Sequence, residues 1–562
     1  MLVCHTRTIA THGCGRLAHV GANLADLVQI AANERPDAPA IITSDRTTTW
    51  SELERLVRAV SGGLSFRRLD RGDRVAMVLG NSPEFVSTYF GILRAGLTAV
   101  PLNNSYTAPE IATVLRSSGA KLVITDRAAA ATVRKAAGSD VAVIEVGSDD
   151  WRRLTVGSTP PPDFETDPES IAVLIYTAGT SGTPKGAMLS HRALGANLDQ
   201  LMSIADPVPM ATDDVSLIVL PMFHIYALNA ALGLVAKTGS TAVLAERFDA
   251  SGALRLIRDH HVTNIAGAPP MYIAWSAMPD LADRLATVRM LTSGAAPLPP
   301  AVHQQFKTAG LTIWEGYGMT EASPVISAAL VSGNSKPGSV GKPLPGVEVK
   351  LVDGTGEEVD EGDPGEIQVR GANLFSGYWP DGAEGPDGDG WFATGDVALA
   401  DEDGDLHLVD RRRDLILVSG FNVYPREIET VLSRVPGVAE VAVVGVSHPF
   451  TGEAVKAIVV PMPGIELEAD DILEYAQGHL ARFKSPTIVE VVGALPHSVT
   501  GKIIKNSLRD PAIDPRSISD ITEAIGKSGE ESAEPTPDAH ALPDGETSGG
   551  KDDSATPRPS DD

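Results

Sequence analysis

Between Tyr176 and Gly186 the chain reads Tyr-Thr-Ala-Gly-Thr-Ser-Gly-Thr-Pro-Lys-Gly, a glycine- and hydroxyl-rich loop closed by a lysine. Glycines let backbone approach a ligand, and successive N–H groups with Thr and Ser hydroxyls can surround phosphate oxygens. Lys185 adds a mobile cation. The loop is not a Walker A, because Gly179 is not followed five residues later by Gly-Lys-Ser/Thr. Further chemistry-bearing turns recur at wide spacing. Ser293-Gly-Ala-Ala-Pro297 is a small-residue turn against which a flat ring can pack. Gly316-Tyr-Gly-Met-Thr-Glu321 is expected to gather an aromatic face, a hydroxyl and a carboxylate in one turn, suited to a purine and a hydrated Mg²⁺. Trp391-Phe-Ala-Thr-Gly-Asp396 is expected to put a carboxylate at a turn, as a partner for two ribose hydroxyls. Asp410–Asp414 and Gly420–Glu429 bracket a junction, and Pro496-His-Ser-Val-Thr-Gly-Lys502 sets a lysine on a glycine turn.

These turns need elements to hold them. The apolar run Ile171–Ile175 reads as a buried strand feeding the loop. From Asn23 to about Ala400 short apolar runs (Val75–Leu79, Val100–Leu102, Lys121–Ile124, Val141–Glu145, Thr241–Leu244) alternate with helical segments such as Pro83–Ala95. That alternation implies α/β layers with mostly parallel sheets. After Gly338, Val347–Val352, Gly365–Arg370 and Asp405–Val409 suggest a β-rich unit. Ile428–Ser433, Val438–Val446, Ala454–Pro461, Asp470–Leu480 and Ile488–Val492 suggest a second, smaller α/β domain. The expected divisions are an extension over 1–22, a large domain over 23–410, a small domain over 411–510 and an acidic, disordered tail over 511–562.

Composition bounds the function. The chain of 562 residues exceeds one core, and 43% hydrophobic with 21% charged residues is globular. A net charge of −27 without a basic stripe argues against nucleic-acid binding. Residues 528–562 hold ten carboxylates against Lys551 and Arg558, so −8 of that charge lies in the tail. A polyanionic substrate must therefore be met by locally placed cations. Cys4 and Cys14 are the only cysteines, which argues against a disulfide framework and for a reducing cytosol. Their Cys-His…His-x-Cys spacing fits no standard zinc pattern. Val215–Ala236 lacks Asp, Glu, Lys and Arg, yet Pro221, His224, Tyr226 and Asn229 interrupt it. It reads as a strand, a turn and a core helix rather than a membrane span, with peripheral membrane association left open.

Taken in order, these motifs are far more specific than any one of them. Over roughly residues 23–510 the chain resembles the adenylate-forming superfamily, which includes acyl- and aryl-CoA synthetases, peptide-synthetase adenylation domains and beetle luciferases. The resemblance implies a large N-terminal domain of two α/β subdomains plus a β-barrel-like subdomain, and a small mobile C-terminal α/β domain. It implies ATP, Mg²⁺ and CoA. It assigns Lys502 to the charge clash between the acid and the α-phosphoryl group, and Thr180 and Glu321 to Mg²⁺. Thr177, Ala178, Gly179, Thr180, Ser181, Gly182, Thr183 and Lys185 would cover the β- and γ-phosphates. Ala295, Glu315, Gly316, Tyr317 and Thr320 would surround adenine and α-phosphate, with Asp396 and Arg411 on the ribose. The hinge falls at Arg413, and Ser419-Gly420 would border a pantetheine tunnel.

Several positions depart from the family pattern. Ala178 stands where serine is common, Ala393 where arginine or histidine is, and Arg413 replaces the usual lysine or aspartate. Leu417 fills a position that is basic in plant 4-coumarate ligases, which puts a nucleotide or CoA contact there in doubt. The acyl pocket is expected beside His224, Tyr226, Ala230, Ala295, Gly316, Pro324 and Val325. This region carries no aspartate for a substrate ammonium, which disfavours peptide-synthetase chemistry. No charge awaits a second polar group, so an apolar acid fits. A medium- to long-chain fatty acid is the first expectation, with a hydroxycinnamate or other aryl acid close behind. Loading of a carrier protein, and a binding-only relative without turnover, are the other readings. The intact Lys502, Glu321 and Asp396 oppose the last.

Overall fold

The computed structural model describes residues 23–156, 165–177, 184–411, 414–418, 421–448, 452–497 and 503–509. The chain divides into units 1–509 and 510–562. The extension with Cys4 and Cys14 and the acidic tail lie outside the described residues.

Two large sheets dominate the first unit. The six-stranded sheet runs Ala142–Glu145, Leu122–Thr125, Arg74–Val78, Thr98–Pro101, Ile171–Thr177 and Lys185–Ser190. All its pairs are parallel except the last, where Ile171–Thr177 returns antiparallel as Lys185–Ser190. The nine-stranded sheet carries Thr241–Leu244, Val215–Ile218, Asn264–Gly267, Met290–Ser293 and Ile313–Gly318 as parallel neighbours. Strands in such sheets are apolar along their length because helices cover both faces. Thr98–Pro101 and Leu122–Thr125 are buried at every position.

The helix Pro83–Arg94 shows how local sequence serves this layering. Ser82 accepts the N–H of Phe85 at 3.1 Å, Pro83 opens the first turn, and Arg94 lies in the last. The helix is buried on nearly all sides, so it packs inside the layers rather than on the surface. Gly91 makes that possible: a Cβ there would lie 2.6 Å from Val60 Cγ1 of the helix Trp50–Ser65.

A four-stranded antiparallel sheet follows, in the order Val347–Val352, Gly365–Gly371, Phe392–Ala400 and Leu406–Arg411. The last sheet has five strands, Ile416–Val418, Phe421–Val423, Val438–His448, Gly452–Pro461 and Ile488–Val491. The helices Pro425–Leu432 and Ala469–His479 pack on it. Its cores, around Ile428, Val443, Val459 and Ile472 and around Ala442 and Ile458, are separate from those of the large sheets. The architecture is α/β, with a large N-terminal domain and a smaller C-terminal one.

Three expectations need correction. Gly316 to Glu321 is not one turn: the strand Ile313–Gly318 carries Gly316 and Tyr317, and a separate short 3-10 turn carries Thr320 and Glu321. Asp396 lies within the strand Phe392–Ala400, beside Gly395 at φ +74°, rather than in a turn. The strand resumes across the Thr-Gly step, with Ala393 opposite Gln368 and Asp396 opposite Arg411 and a register shift between Glu366 and Gln368, so the turn signal marks an irregularity inside the strand rather than its end. The core helix after Pro221 begins as a π-helix over Tyr226–Gly233 before the α-helix Leu234–Thr238. No helix among the described residues is long and apolar enough to cross a membrane.

Candidate active site

Parallel strands place the site. Met290–Ser293 and Ile313–Gly318 are neighbours, with Ser293 opposite Glu315, so the turns after them emerge side by side at one sheet edge. Open α/β sheets bind ligands beyond the carboxyl ends of their strands. Ala295, next along the first turn, sits at φ +70°, a conformation that non-glycine residues rarely adopt and that clusters at functional sites. Glu315 braces that turn by accepting the Leu298 N–H at 3.2 Å. Its carboxyl group is 5% exposed, and burial pushes its pKa up to about 7. The carboxylate thus faces the protein, and its backbone is what remains for a nucleotide.

Tyr317 donates to Asp396 Oδ2 at 2.7 Å, although the two belong to different sheets. The strand register sets Asp396 opposite Arg411, so the two residues expected at the ribose are neighbours. Glu321 is 6% exposed, and its Oε1 accepts the Tyr378 hydroxyl at 2.6 Å. Among the described residues Glu321 forms no ion pair with a Lys, Arg or His, and carboxylate oxygen is the donor type a hard cation requires. Clusters of three or more acidic, His or Cys groups able to hold a metal are absent among the described residues. A Mg²⁺ that keeps most of its water needs only one or two carboxylates, so Glu321 fits it.

Lys185 begins the strand Lys185–Ser190, and the pair Thr177–Lys185 closes the hairpin that spans the glycine-rich loop. Its Nζ lies 2.5 Å from Glu384 and 5.3 Å from the centre of the Tyr378 ring. The same strand pairs with the segment after Phe375: Met188 donates to Gly377, and Trp379 donates to Gly186 at 2.8 Å. Phe375 in turn donates to the carbonyl of Glu321. That ladder brings Lys185 and Glu321 to one place.

The residues expected at the acyl group lie on the π-helix and in the segment 323–325. Tyr226 shares a hydrogen bond with Thr292 Oγ1 at 3.0 Å, and its ring lies against Gly294, where a Cβ would meet Cε1 at 3.4 Å. Burial pushes the Tyr226 phenol up to about 12 and holds the His224 imidazole below its ordinary range, so the ring stays neutral at pH 7. Ala230 lies one turn along the π-helix from Tyr226. Asn229 donates to Ser323 O at 2.7 Å, and Asn197 both donates to and accepts from the backbone of Val325. These amides fix Pro324 between their partners.

Residues the sequence reading missed include Tyr378, Glu384, Asn197 and Asn229. Tyr378 lies 57 residues from Glu321, and nothing in Gly377-Tyr-Trp-Pro380 signals that contact. Arg426, on the first helix of the small domain, donates to Leu408 O at 2.7 Å, and its charge partly offsets the rise in the Glu315 pKa. Of the expected site residues, Ala178, Gly179, Thr180, Ser181, Gly182, Thr183, Arg413, Ser419, Gly420 and Lys502 lie outside the described residues.

The chain is similar to known proteins over most of its length. The family model for AMP-binding enzymes matches residues 28–379, and that for the AMP-binding enzyme C-terminal domain matches residues 427–502. A feruloyl-CoA synthase of Amycolatopsis sp is 36% identical over 484 residues, 85% of this chain and 96% of the relative. A long-chain-fatty-acid–CoA ligase of Escherichia coli O157:H7 is 33% identical over 531 residues, covering 87% and 94%. The crystal structure of ATP-bound MatB from Rhodopseudomonas palustris superposes with a TM-score of 0.81 at 33% identity, covering 89% of this chain and 99% of that one.

Proposed function

The chain belongs to the AMP-binding enzyme family and is an AMP-forming acid–thiol ligase using ATP, Mg²⁺ and CoA, and from that premise we propose that its acid is a medium- to long-chain fatty acid. The acid oxygen attacks the α-phosphorus of ATP and expels pyrophosphate; the CoA thiol then attacks the acyl carbonyl and expels AMP. Two anions meet in the first step, so positive charge aimed at them is the main requirement. Lys502 supplies it in this reading, entering from the small domain. Lys185 and the loop before it hold the outer phosphates, while Asp396 and Arg411 hold the ribose. Glu321 with Thr180 would hold Mg²⁺, which neutralises phosphate charge when bound. The small domain turns about Arg413 between steps, bringing Ser419-Gly420 to the pantetheine arm.

The observation that carries the choice of acid is the Tyr226–Thr292 hydrogen bond. Thr292 Oγ1 also lies 3.5 Å from Ile265 O, so it can donate there and accept from Tyr226, and Ala227, Ala230, Gly294 and Ala295 around it carry no charge. A chain of methylenes matches such a wall. An aryl acid is the second reading, favoured because the Tyr226 oxygen keeps a lone pair that can accept a phenolic hydroxyl, and because a feruloyl-CoA synthase is among the similar relatives.

Steady-state rates with laurate, palmitate, 4-coumarate and ferulate, in wild type and Tyr226→Phe, separate the two. The fatty-acid reading expects kcat/KM for palmitate or laurate to lead and to change less than about twofold in the variant, since no hydrogen bond to substrate is lost. A lead of about tenfold for an aryl acid, lost in Tyr226→Phe, overturns it and is the scale of one buried hydrogen bond.

A further inference from the structure

We propose that Tyr378 is a positioning residue that sets both the cation-binding carboxylate Glu321 and the phosphate-binding lysine Lys185 for nucleotide. This rests on the reading of Glu321 and Lys185 given above. Three contacts converge on the one side chain. Its hydroxyl donates to Glu321 Oε1 at 2.6 Å, its ring face lies 5.3 Å from Lys185 Nζ, and its edge meets Phe375 at 5.1 Å between ring centres. The hydroxyl is the donor of this bond, because an ionised carboxylate can only accept.

A carboxylate that accepts a strong hydrogen bond on one oxygen presents the other in a fixed direction. Octahedral Mg²⁺ takes a single carboxylate oxygen and keeps several waters, so a clamped, one-oxygen ligand suits it better than a freely rotating one. Phe375 Cα is tied to the same residue, because its N–H donates to Glu321 O at 2.9 Å. Glu321 is thereby held at its backbone and its side chain by two positions three residues apart.

The lysine is set by the same short loop. Tyr378 donates through its N–H to Ala383 O at 3.0 Å, and Gly382 donates back to Tyr378 O at 2.9 Å. This tight turn delivers Glu384, at φ +55°, to Lys185 Nζ at 2.5 Å. Glu384 is 66% exposed and Lys185 30% exposed, so the pair is wet and weakly held. Triphosphate oxygens can therefore take the ammonium from Glu384, while the Tyr378 ring keeps the lysine stem on the phosphate side. One loop thus aligns the cation carboxylate, on a 3-10 turn, and the phosphate cation, at the start of a strand of the six-stranded sheet.

The test is calorimetric binding of ATP to the full chain over a series of Mg²⁺ concentrations, with wild type, Tyr378→Phe, Glu321→Gln and the double variant. Tyr378→Phe keeps the ring and removes only the hydroxyl. Half-maximal ATP binding is expected to need about tenfold more Mg²⁺, the low end of the cost of losing an outer partner of a metal ligand. In the Glu321→Gln background the same change is expected to add less than about twofold, because the clamp has nothing to hold. A Mg²⁺ requirement unchanged in Tyr378→Phe overturns the proposal, as does an equal effect in both backgrounds. A lowered melting temperature with an unchanged Mg²⁺ requirement assigns Tyr378 to packing alone and also overturns it. If wild-type ATP binding is itself indifferent to both Mg²⁺ and Glu321→Gln, the assignment of Glu321 fails first, and the proposal falls with it.

Discussion

Glu315 shows how much one side chain can reveal about a site. Its carboxyl is held from 4.5 up to about 7 by burial, with the Leu298 and Gly338 N–H groups and the Arg426 charge only partly offsetting that cost. The folded protein therefore binds this proton more tightly than the unfolded chain does. Its contribution to stability is full below about pH 4.5 and is lost as pH rises to about 7, a total on the order of 3 kcal/mol. Glu315→Gln keeps an acceptor for Leu298 and removes the titration. Between pH 4.5 and 7.5 the melting temperature of wild type should fall relative to the variant. A difference that stays constant over that range would show that Glu315 does not titrate there. The family resemblance implies that this glutamate lies beside the nucleotide, yet gave no sign that its side chain is buried against Leu298. That outcome depends on Leu298 and Gly338, which approach only once the sheet has formed.

At the scale of elements, the legible features were those that repeat along one segment. Thr241–Leu244 and Val347–Val352 form strands with the bounds that apolar runs suggested, because a buried strand declares itself in its own composition. Gly316–Glu321 and Trp391–Asp396 misled because their glycines read as turns, whereas Gly316, Tyr317 and Gly318 pair with the strand Val325–Ala328 and Asp396 pairs with Arg411, so each segment is partly strand. The π-helix at Tyr226–Gly233 had no signal, since its register is imposed by packing. Gly318 has a stronger local reason: a Cβ there would lie 2.0 Å from Pro324 O, the carbonyl that accepts the Met319 N–H. Gly318→Ala should therefore push apart the turn that carries Thr320 and Glu321, costing about 1–3 kcal/mol of stability. It should weaken Mg²⁺-dependent ATP binding as well. Gly388→Ala is the control, because a Cβ there meets nothing within 4 Å. Thermal melts and ATP titrations that rank the two variants equally would contradict the close approach at Gly318.

For the whole molecule, the large sheets and the five-stranded sheet carry separate hydrophobic cores. Arg426, on the helix Pro425–Leu432, donates to Leu408 O in the four-stranded sheet at 2.7 Å and so ties the two together by a polar contact. The order of motifs made the superfamily legible, whereas the choice of acid was not, because the residues expected at the acyl group come from three separate segments, the π-helix, the turn at Gly294 and residues 323–325. Local charge must do the work that a net charge of −27 cannot. The central claim is that Lys502, carried by the small domain, neutralises the meeting of carboxylate and α-phosphate. ATP–pyrophosphate exchange driven by the preferred acid, in wild type and Lys502→Ala of equal melting temperature, tests it most directly. Exchange should be robust in wild type and fall by at least about hundredfold in the variant, the scale of losing one charge-stabilising group. Exchange that survives at the wild-type rate without that ammonium would contradict the account.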